Sequence, residues 1–255
     1  AAWDLIVGKT DEEKAAEDLR RKIEQLQFSR IAGYFPTPAA IVARMLDYAD
    51  IDPGHLVLEP SAGHGAIADA IRNAGGLVTC HEVAPRLTEI LQAKGYNVLR
   101  DFTEYDHGQI FDRVLMNPPF EKLQDIDHVR HAYKALKPGG RLVAIMSPSP
   151  FFNHHRKAED FRQWFDDLGG EVQDIEAGAF KESGTGCAAR LVVIDKPELD
   201  FDEETRRIAV DIVECACDLT PEGEQYVIPG AERDPGALAG TGAGPDQLDL
   251  WGRKG

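Results

Sequence analysis

The chain has 255 residues, 43% of them hydrophobic, enough for one α/β core with short appendages. Its 28 Lys and Arg against 44 Asp and Glu give a net charge of −16, which excludes phosphate binding by the whole surface. No apolar run is long enough to span a bilayer, and the four cysteines (Cys80, Cys187, Cys215 and Cys217) show no CxxC spacing, as expected of free thiols in a reducing compartment.

No signal peptide is visible, and the chain begins without Met, as a trimmed or excised piece would. Residues 11 to 32, DEEKAAEDLRRKIEQLQFSRIA, predict an amphipathic helix, with Leu19, Ile23, Leu26 and Ile31 near helical spacing. Pro36 and Pro38 break it. PAAIVARMLDYA predicts a second helix, with Pro38 in its first turn and Thr37 as its cap. Strands and helices then alternate. HLVLEP, GLVTCHEV, NVLRD, FDRVLMN and RLVAIMS read as strands. Between them GAIADAIRNAG, PRLTEILQAKG and DIDHVRHAYKALKPGG read as helices, the last closed by Pro-Gly-Gly, and KAEDFRQWFDDLGG follows as another. EVQDIEAG and ARLVVIDK are two last strands with no helix between them.

This pattern predicts a Rossmann-like α/β fold: a seven-stranded, mostly parallel sheet, helices on both faces and an antiparallel edge hairpin. Four segments are expected. They are a helical extension (1–34), the α/β domain (35–197), an acidic helical appendage around DEETRRIAVDIVECA (198–228), and a flexible Gly/Pro-rich tail (229–255). Acid gathers after residue 197, whereas Arg and Lys gather at 153–162 and at Lys122, Arg130, Lys134 and Lys137, a distribution that permits one nucleic-acid face.

In open α/β sheets ligands sit outside the carboxyl ends of the strands. The first strand ends in EPSAGHGA, where Gly63, Gly65 and Ala68 fit the dinucleotide fingerprint, a weak signal alone. Glu82, after strand two, stands where an acid binds ribose hydroxyls, in NAD enzymes or with any adenosine cofactor. Asp101 follows strand three, and Phe102 is placed to lie against a purine. The fourth strand stops in Asn117-Pro118-Pro119-Phe120, which a plain turn does not require.

Taken together, these motifs resemble the class I S-adenosylmethionine-dependent methyltransferases, and within them the adenine-N6 DNA methyltransferases, over about Phe35 to Lys196. FPTPAAIVARML is similar to the segment holding the methionine end of the cofactor, with Phe35 beside it and Thr37 on the carboxylate. LEPSAGHG resembles the cofactor glycine motif. The resemblance implies that Glu59 faces the methionine ammonium, Ser61, Gly63 and Gly65 cradle the cofactor, Glu82 binds ribose, and Asp101 binds the adenine amino group. NPPF matches the Asn/Asp-Pro-Pro-aromatic catalytic motif. An exocyclic amine is a poor nucleophile because its lone pair is delocalised. The Asn117 oxygen and the Pro118 carbonyl, aimed by the prolines, would accept its two N–H bonds, and Phe120 would stack the base. Phe180, in GAFKESGTG, is either the second stacking face or a core aromatic. Lys181, Arg156 and Lys157 are candidate phosphate contacts. The adjacent His154 and His155 make a poor metal pair, as do Cys215 and Cys217, and no metal is expected.

The expected product is N6-methyladenine in DNA. The alternatives are RNA amino groups, a protein glutamine amide, and a non-catalytic protein of this fold. The chain has no room for a large target-recognition domain, so a short site read by loops, an RNA substrate or a partner is implied. Near the end, Gln247-Leu248-Asp249-Leu250-Trp251 resembles the peptide that docks bacterial proteins on the replication sliding clamp, with Leu248, Leu250 and Trp251 entering apolar pockets. A cytoplasmic, nucleoid-associated protein is expected.

Overall fold

The computed structural model describes residues 9–26, 31, 34–176, 178–180 and 188–198. Contacts divide the chain into residues 1–199 and 200–255, and the second unit lies outside the described residues. The acidic appendage beyond Glu198, the tail with Gln247 to Trp251, and Lys181 in the first unit lie outside the described residues.

The strands are β1 (Leu56–Glu59), β2 (Leu77–His81), β3 (Val98–Leu99), β4 (Phe111–Met116), β5 (Leu136–Met146), β6 (Glu171–Ile175) and β7 (Ala189–Asp195). They form one sheet in the order β3-β2-β1-β4-β5-β7-β6. The first five pair in parallel; β7 runs antiparallel between β5 and β6. The seven-stranded, mostly parallel sheet with an antiparallel edge is the one expected. The chain leaves β1 in one direction, through β2 and β3, and returns to its other side as β4. The crevice between the carboxyl ends of β1 and β4 is thus the switch point where such sheets bind ligands.

Alternation along the central strands builds two cores. Val114, Met116, Leu142, Ala144 and Met146 face one layer with Ile126, Val129, Phe161 and Phe165. Leu115, Val143 and Ile145 face the other with Ile41, Met45, Ile67 and Ile71. The strands are buried on both faces, which is why their sequences read as continuous apolar runs.

The helices are α1 (Asp11–Leu26), α2 (Ala39–Ala49), α3 (Ala66–Asn73), α4 (Pro85–Ala93), α5 (Gln124–Ala135), α6 (Ser149–Phe152) and α7 (Arg156–Asp167). The apolar stripe of α1 packs Leu19, Ile23 and Leu26 on Leu87 and Ile90 of α4. Ile31, expected within this first helix, is described outside it.

Two local expectations are corrected. Thr37 does not cap α2. Pro38 is the N-cap residue, and its carbonyl accepts from Ile41 and Val42, while the Thr37 hydroxyl is engaged elsewhere. Lys137-Pro138-Gly139-Gly140 does not close a helix. It already belongs to β5, where the Lys196 and Gly139 amides bridge it to the end of β7. Between β5 and α7, Ser149–Phe152 forms the short α6.

Candidate active site

Two turns meet at the switch point. After β1 the chain passes through Ser61, Gly63 and His64 into α3, with Gly65 as its N-cap residue at φ 90°. A Cβ there would stand 2.8 Å from Leu91 Cδ2, so another residue would both push that α4 side chain aside and strain a backbone at positive φ. At Gly63, φ is 58° and a Cβ would lie 3.0 Å from the Tyr34 ring. After β4, Asn117 to Phe120 turn across the same edge.

Between these turns lies a cavity of 320 Å³, within the range of small-molecule sites. Phe35, Thr37, Glu59, Ser61, Gly63, Glu82, Asp101, Phe102 and all four residues of NPPF line it. Gly65 does not, but it starts the helix beneath. Nearly every cofactor residue expected from sequence is therefore brought to one place from five separate segments.

The Asn117 amide is fixed in orientation. Its Nδ2 donates to the Phe35 carbonyl at 3.3 Å and to Thr37 Oγ1 at 3.1 Å. A carbonyl only accepts, so the NH₂ must face Phe35 and the oxygen must point the other way. Pro118 is buried and Phe120 half-buried beside it.

The acids differ in state. Glu59 is only 1% exposed, and its Oε2 has no hydrogen-bond partner. Burial holds its carboxyl well above the usual range, against a backbone hydrogen bond from Ala68. Burial also raises Glu82, although its two oxygens accept from the Gly63 and Ala84 amides, each at 2.8 Å. Asp101 lies below the usual range because the Thr103 hydroxyl and amide both donate to Oδ1. Phe102 lines the cavity as a buried ring packed edge-on against His131, at 4.6 Å between centroids. It is a wall, not a free stacking face.

The expected target contacts fare unevenly. Phe180 lines the cavity but is 4% exposed, packed with Ile175 and Ala189, so of its two readings the core aromatic fits better. Arg156 and Lys157 begin α7 away from the cavity lining and are paired with Asp160 and Asp127. Arg130 lies over Trp164, and Lys137 is paired with Asp112. Much of the expected basic face is thus spent on intramolecular pairs. Among the described residues, no group of His, Cys, Asp and Glu is placed to hold a metal ion, and no helix is long and apolar enough to cross a membrane.

Several site residues were not legible in the sequence. Tyr34 Oη and His64 Nδ1 are hydrogen-bonded at 2.7 Å, and both line the cavity. Lys94, 10% exposed, donates to the His64 carbonyl and to Asp69 Oδ2, each at 2.6 Å, anchoring the glycine turn from α4. Buried Asp125 accepts from the Ser147 amide and hydroxyl, tying the turn after NPPF to the end of β5. Each joins residues 22 to 30 apart, with no motif to mark it.

No protein-family model matches the chain. A stretch of 94 residues is 32% identical to the Type II methyltransferase M.TthHB8I of Thermus thermophilus, covering 36% of this chain and 22% of that protein. The chain thus spans about a fifth of the length of this curated relative. Among solved structures, one assigned to the class I S-adenosylmethionine-dependent methyltransferases, from Listeria monocytogenes, superposes with a TM-score of 0.53 at 11% identity, over 80% of this chain and 79% of that one. A modification subunit assigned to a type I restriction enzyme of Vibrio vulnificus gives 0.53 at 16% identity, over 84% and 60%. A protein of Pyrococcus horikoshii assigned as an RNA methyltransferase gives 0.51 at 18%, over 66% and 90%. Together with the strand order, these likenesses show that the chain has the fold of the class I S-adenosylmethionine-dependent methyltransferases.

Proposed function

We propose that this chain methylates the exocyclic N6 amino group of adenine in DNA, using S-adenosylmethionine. The observation that carries the reading is the fixed Asn117 amide. Its nitrogen is spent on Phe35 and Thr37, so its oxygen is presented as an acceptor beside Pro118 and Phe120.

The residues present fit the cofactor. Glu59 carries a buried carboxyl with an unpartnered oxygen, the group that a methionine ammonium would satisfy. Glu82 and Asp101 line the cavity as acceptors suited to ribose and an adenine amino group. When bound, the cofactor supplies an electrophilic methyl group on a sulfonium.

This chain's own part is to make an amine nucleophilic. Asn117 Oδ1 and the Pro118 carbonyl would accept the two N–H bonds, draw the nitrogen out of conjugation and stabilise its developing positive charge. The two prolines keep that carbonyl from turning away. Phe120 gives the base a stacking face, offsetting part of the few kcal/mol spent on extruding it.

The choice of DNA in this reading leans on the match to a Type II methyltransferase, and the likeness to a protein assigned as an RNA methyltransferase is why RNA is tested beside it. The same reading takes Gln247 to Trp251 as a tether to a sliding clamp, compensating an acidic enzyme for weak phosphate attraction. The test is incubation with isotopically labelled S-adenosylmethionine and either DNA or RNA, then digestion to nucleosides and mass spectrometry. Labelled N6-methyldeoxyadenosine is expected. Label confined to RNA nucleosides or to protein would overturn the substrate, and absence of cofactor binding by calorimetry would overturn the enzyme.

A further inference from the structure

His81, His107, His128 and His131, half of the chain's eight histidines, surround the Phe102 ring that walls the cavity. Three of them are spent on hydrogen bonds whose direction is fixed. A carbonyl only accepts, so His81 Nδ1, 3.0 Å from the Arg100 carbonyl, must carry a proton. Burial pulls the His81 pKa down to about 4, so at neutral pH its Nε2 is a bare acceptor. His107 Nε2, 2.8 Å away, must then be the donor. Burial lowers the His107 pKa as well. By the same rule His131 Nε2 donates to the Tyr105 carbonyl, at 2.9 Å.

These bonds fasten one loop. Arg100, Tyr105 and His107 all belong to the turn that follows β3, and Asp101 and Phe102 stand between them. His81 ties this turn to the end of β2, and His131 ties it to α5. His81 is itself held. Its side chain is fully buried, and its backbone carbonyl accepts from the Ala62 amide in the glycine turn. The Phe102, Tyr105 and His107 rings stand edge-on to it, with centroids between 4.9 and 5.5 Å away. At the cavity wall, both Thr103 donors fall on Asp101 Oδ1, and among the described residues no donor meets Oδ2. One acceptor oxygen is thus kept unspent on a loop that imidazoles hold in place.

We infer that His107 and His81 are positioning residues for Asp101. They aim its Oδ2 at the exocyclic amino group of the cofactor's adenine, and so make the cavity selective for an amino purine over a 6-oxo purine. The inference rests on the S-adenosylmethionine reading of the cavity. A slack loop would still wall the cavity with Phe102, but its carboxylate would lose its aim. A hydrogen bond to a charged acceptor is worth roughly 10- to 100-fold in binding, and a 6-oxo purine sets a carbonyl where the amino group would donate it.

The test is calorimetry of two ligands, S-adenosylhomocysteine and its 6-oxo analogue S-inosylhomocysteine, on the full chain and on three variants of the half-buried His107. The wild type is expected to prefer the adenosyl ligand by roughly 10- to 100-fold. His107→Leu cannot donate, and His107→Asn is too short to reach His81. Both should bring the ratio to within about threefold by weakening the adenosyl ligand alone. His107→Gln can place an amide N–H near the native Nε2 and should keep the ratio. If His107→Leu does not fold, His107→Asn against His107→Gln carries the comparison. An unchanged ratio in Leu and Asn would overturn the inference, as would a loss in Gln equal to theirs. Equal weakening of both ligands would also overturn it, because a merely structural His107 moves both together. A wild type that binds the two ligands alike would leave the cofactor in the cavity but remove Asp101 as its reader, and the inference with it. A wild type that binds neither would overturn the cofactor reading and the inference together.

Discussion

Asn117→Asp is the sharpest probe of the catalytic reading, because it changes one atom type and nothing in shape. In the native protein Nδ2 donates to the Phe35 carbonyl at 3.3 Å and to the Thr37 hydroxyl at 3.1 Å. Aspartate replaces that donor with an oxygen. The Thr37 hydroxyl can turn and donate to it, but the Phe35 carbonyl cannot, so one hydrogen bond becomes an oxygen–oxygen contact. A lost hydrogen bond plus an unsatisfied acceptor amounts to about 1–3 kcal/mol. The carboxylate is expected to swing off Phe35, taking the other oxygen out of line with the target amine. Converted to rate, that is a fall in kcat of roughly 5- to 150-fold. Affinity for S-adenosylmethionine should change far less, since Asn117 is proposed to act on the amine. Single-turnover methylation with radiolabelled cofactor reads the rate, and calorimetry reads the binding. A rate within twofold of wild type would refute the clasp as the source of Asn117 orientation. Thr37→Val, which removes the closer of the two acceptors and leaves the Phe35 carbonyl, should cost about 1 kcal/mol, roughly fivefold in kcat.

Glu59→Gln should weaken cofactor affinity by roughly 10- to 100-fold, the worth of a hydrogen bond to a charged group. The cofactor-free protein carries the opposite signature. Burial raises the folded-state pKa of Glu59 above its unfolded value, so its contribution to stability is full below the ordinary Glu range and is lost as pH rises through the raised value. Scanning fluorimetry from acid towards neutral pH should show a falling melting temperature, with a shallower slope in Glu59→Gln; parallel slopes would count against it. Lys94→Met leaves Asp69 and the His64 carbonyl without their common donor, and should cost about 2 kcal/mol in urea denaturation. It should also raise the KM for S-adenosylmethionine, with Lys94→Arg restoring part of it; an unchanged KM would make Lys94 merely structural. In a pull-down with a bacterial sliding clamp, Gln247→Ala/Leu250→Ala should abolish capture, and capture equal to wild type would remove the tether.

How much of this was readable depended on distance along the chain. Strand runs, the glycine turn and the residues at strand ends follow from local period and punctuation, and they placed Glu59, Glu82, Asp101 and Asn117 on one edge. KPGG was misread because Pro-Gly-Gly commonly ends helices. Here its glycines let β5 pass close to the Asp112 backbone, where a Cβ at Gly140 would meet the Asp112 carbonyl at 3.1 Å. Phe180 was open between core and site because a hairpin aromatic looks the same in either role. The Asn117 clasp and the Lys94 anchor join segments 80 to 82 and 30 residues apart, so no local pattern records them.

The clasp also refines the part played by Thr37. A threonine hydroxyl has one proton to give and can accept besides. Asn117 donates to it, so the Thr37 proton remains available for an acceptor in the cavity. Under the proposed function that acceptor is the methionine carboxylate, and the same hydroxyl then touches the cofactor side and the amine side at once. Hydrogen bonds in such a chain strengthen one another, so a donor engaged at one end is a better acceptor at the other. On this view the FPTP segment does more than hold a cofactor: an occupied cavity would tighten the grip on the Asn117 nitrogen and steady the oxygen that meets the target. The uncapped start of α2 and the fixed Asn117 amide thus meet at one hydroxyl. Thr37 leaves the end of α2 uncapped because its hydroxyl is used at Asn117.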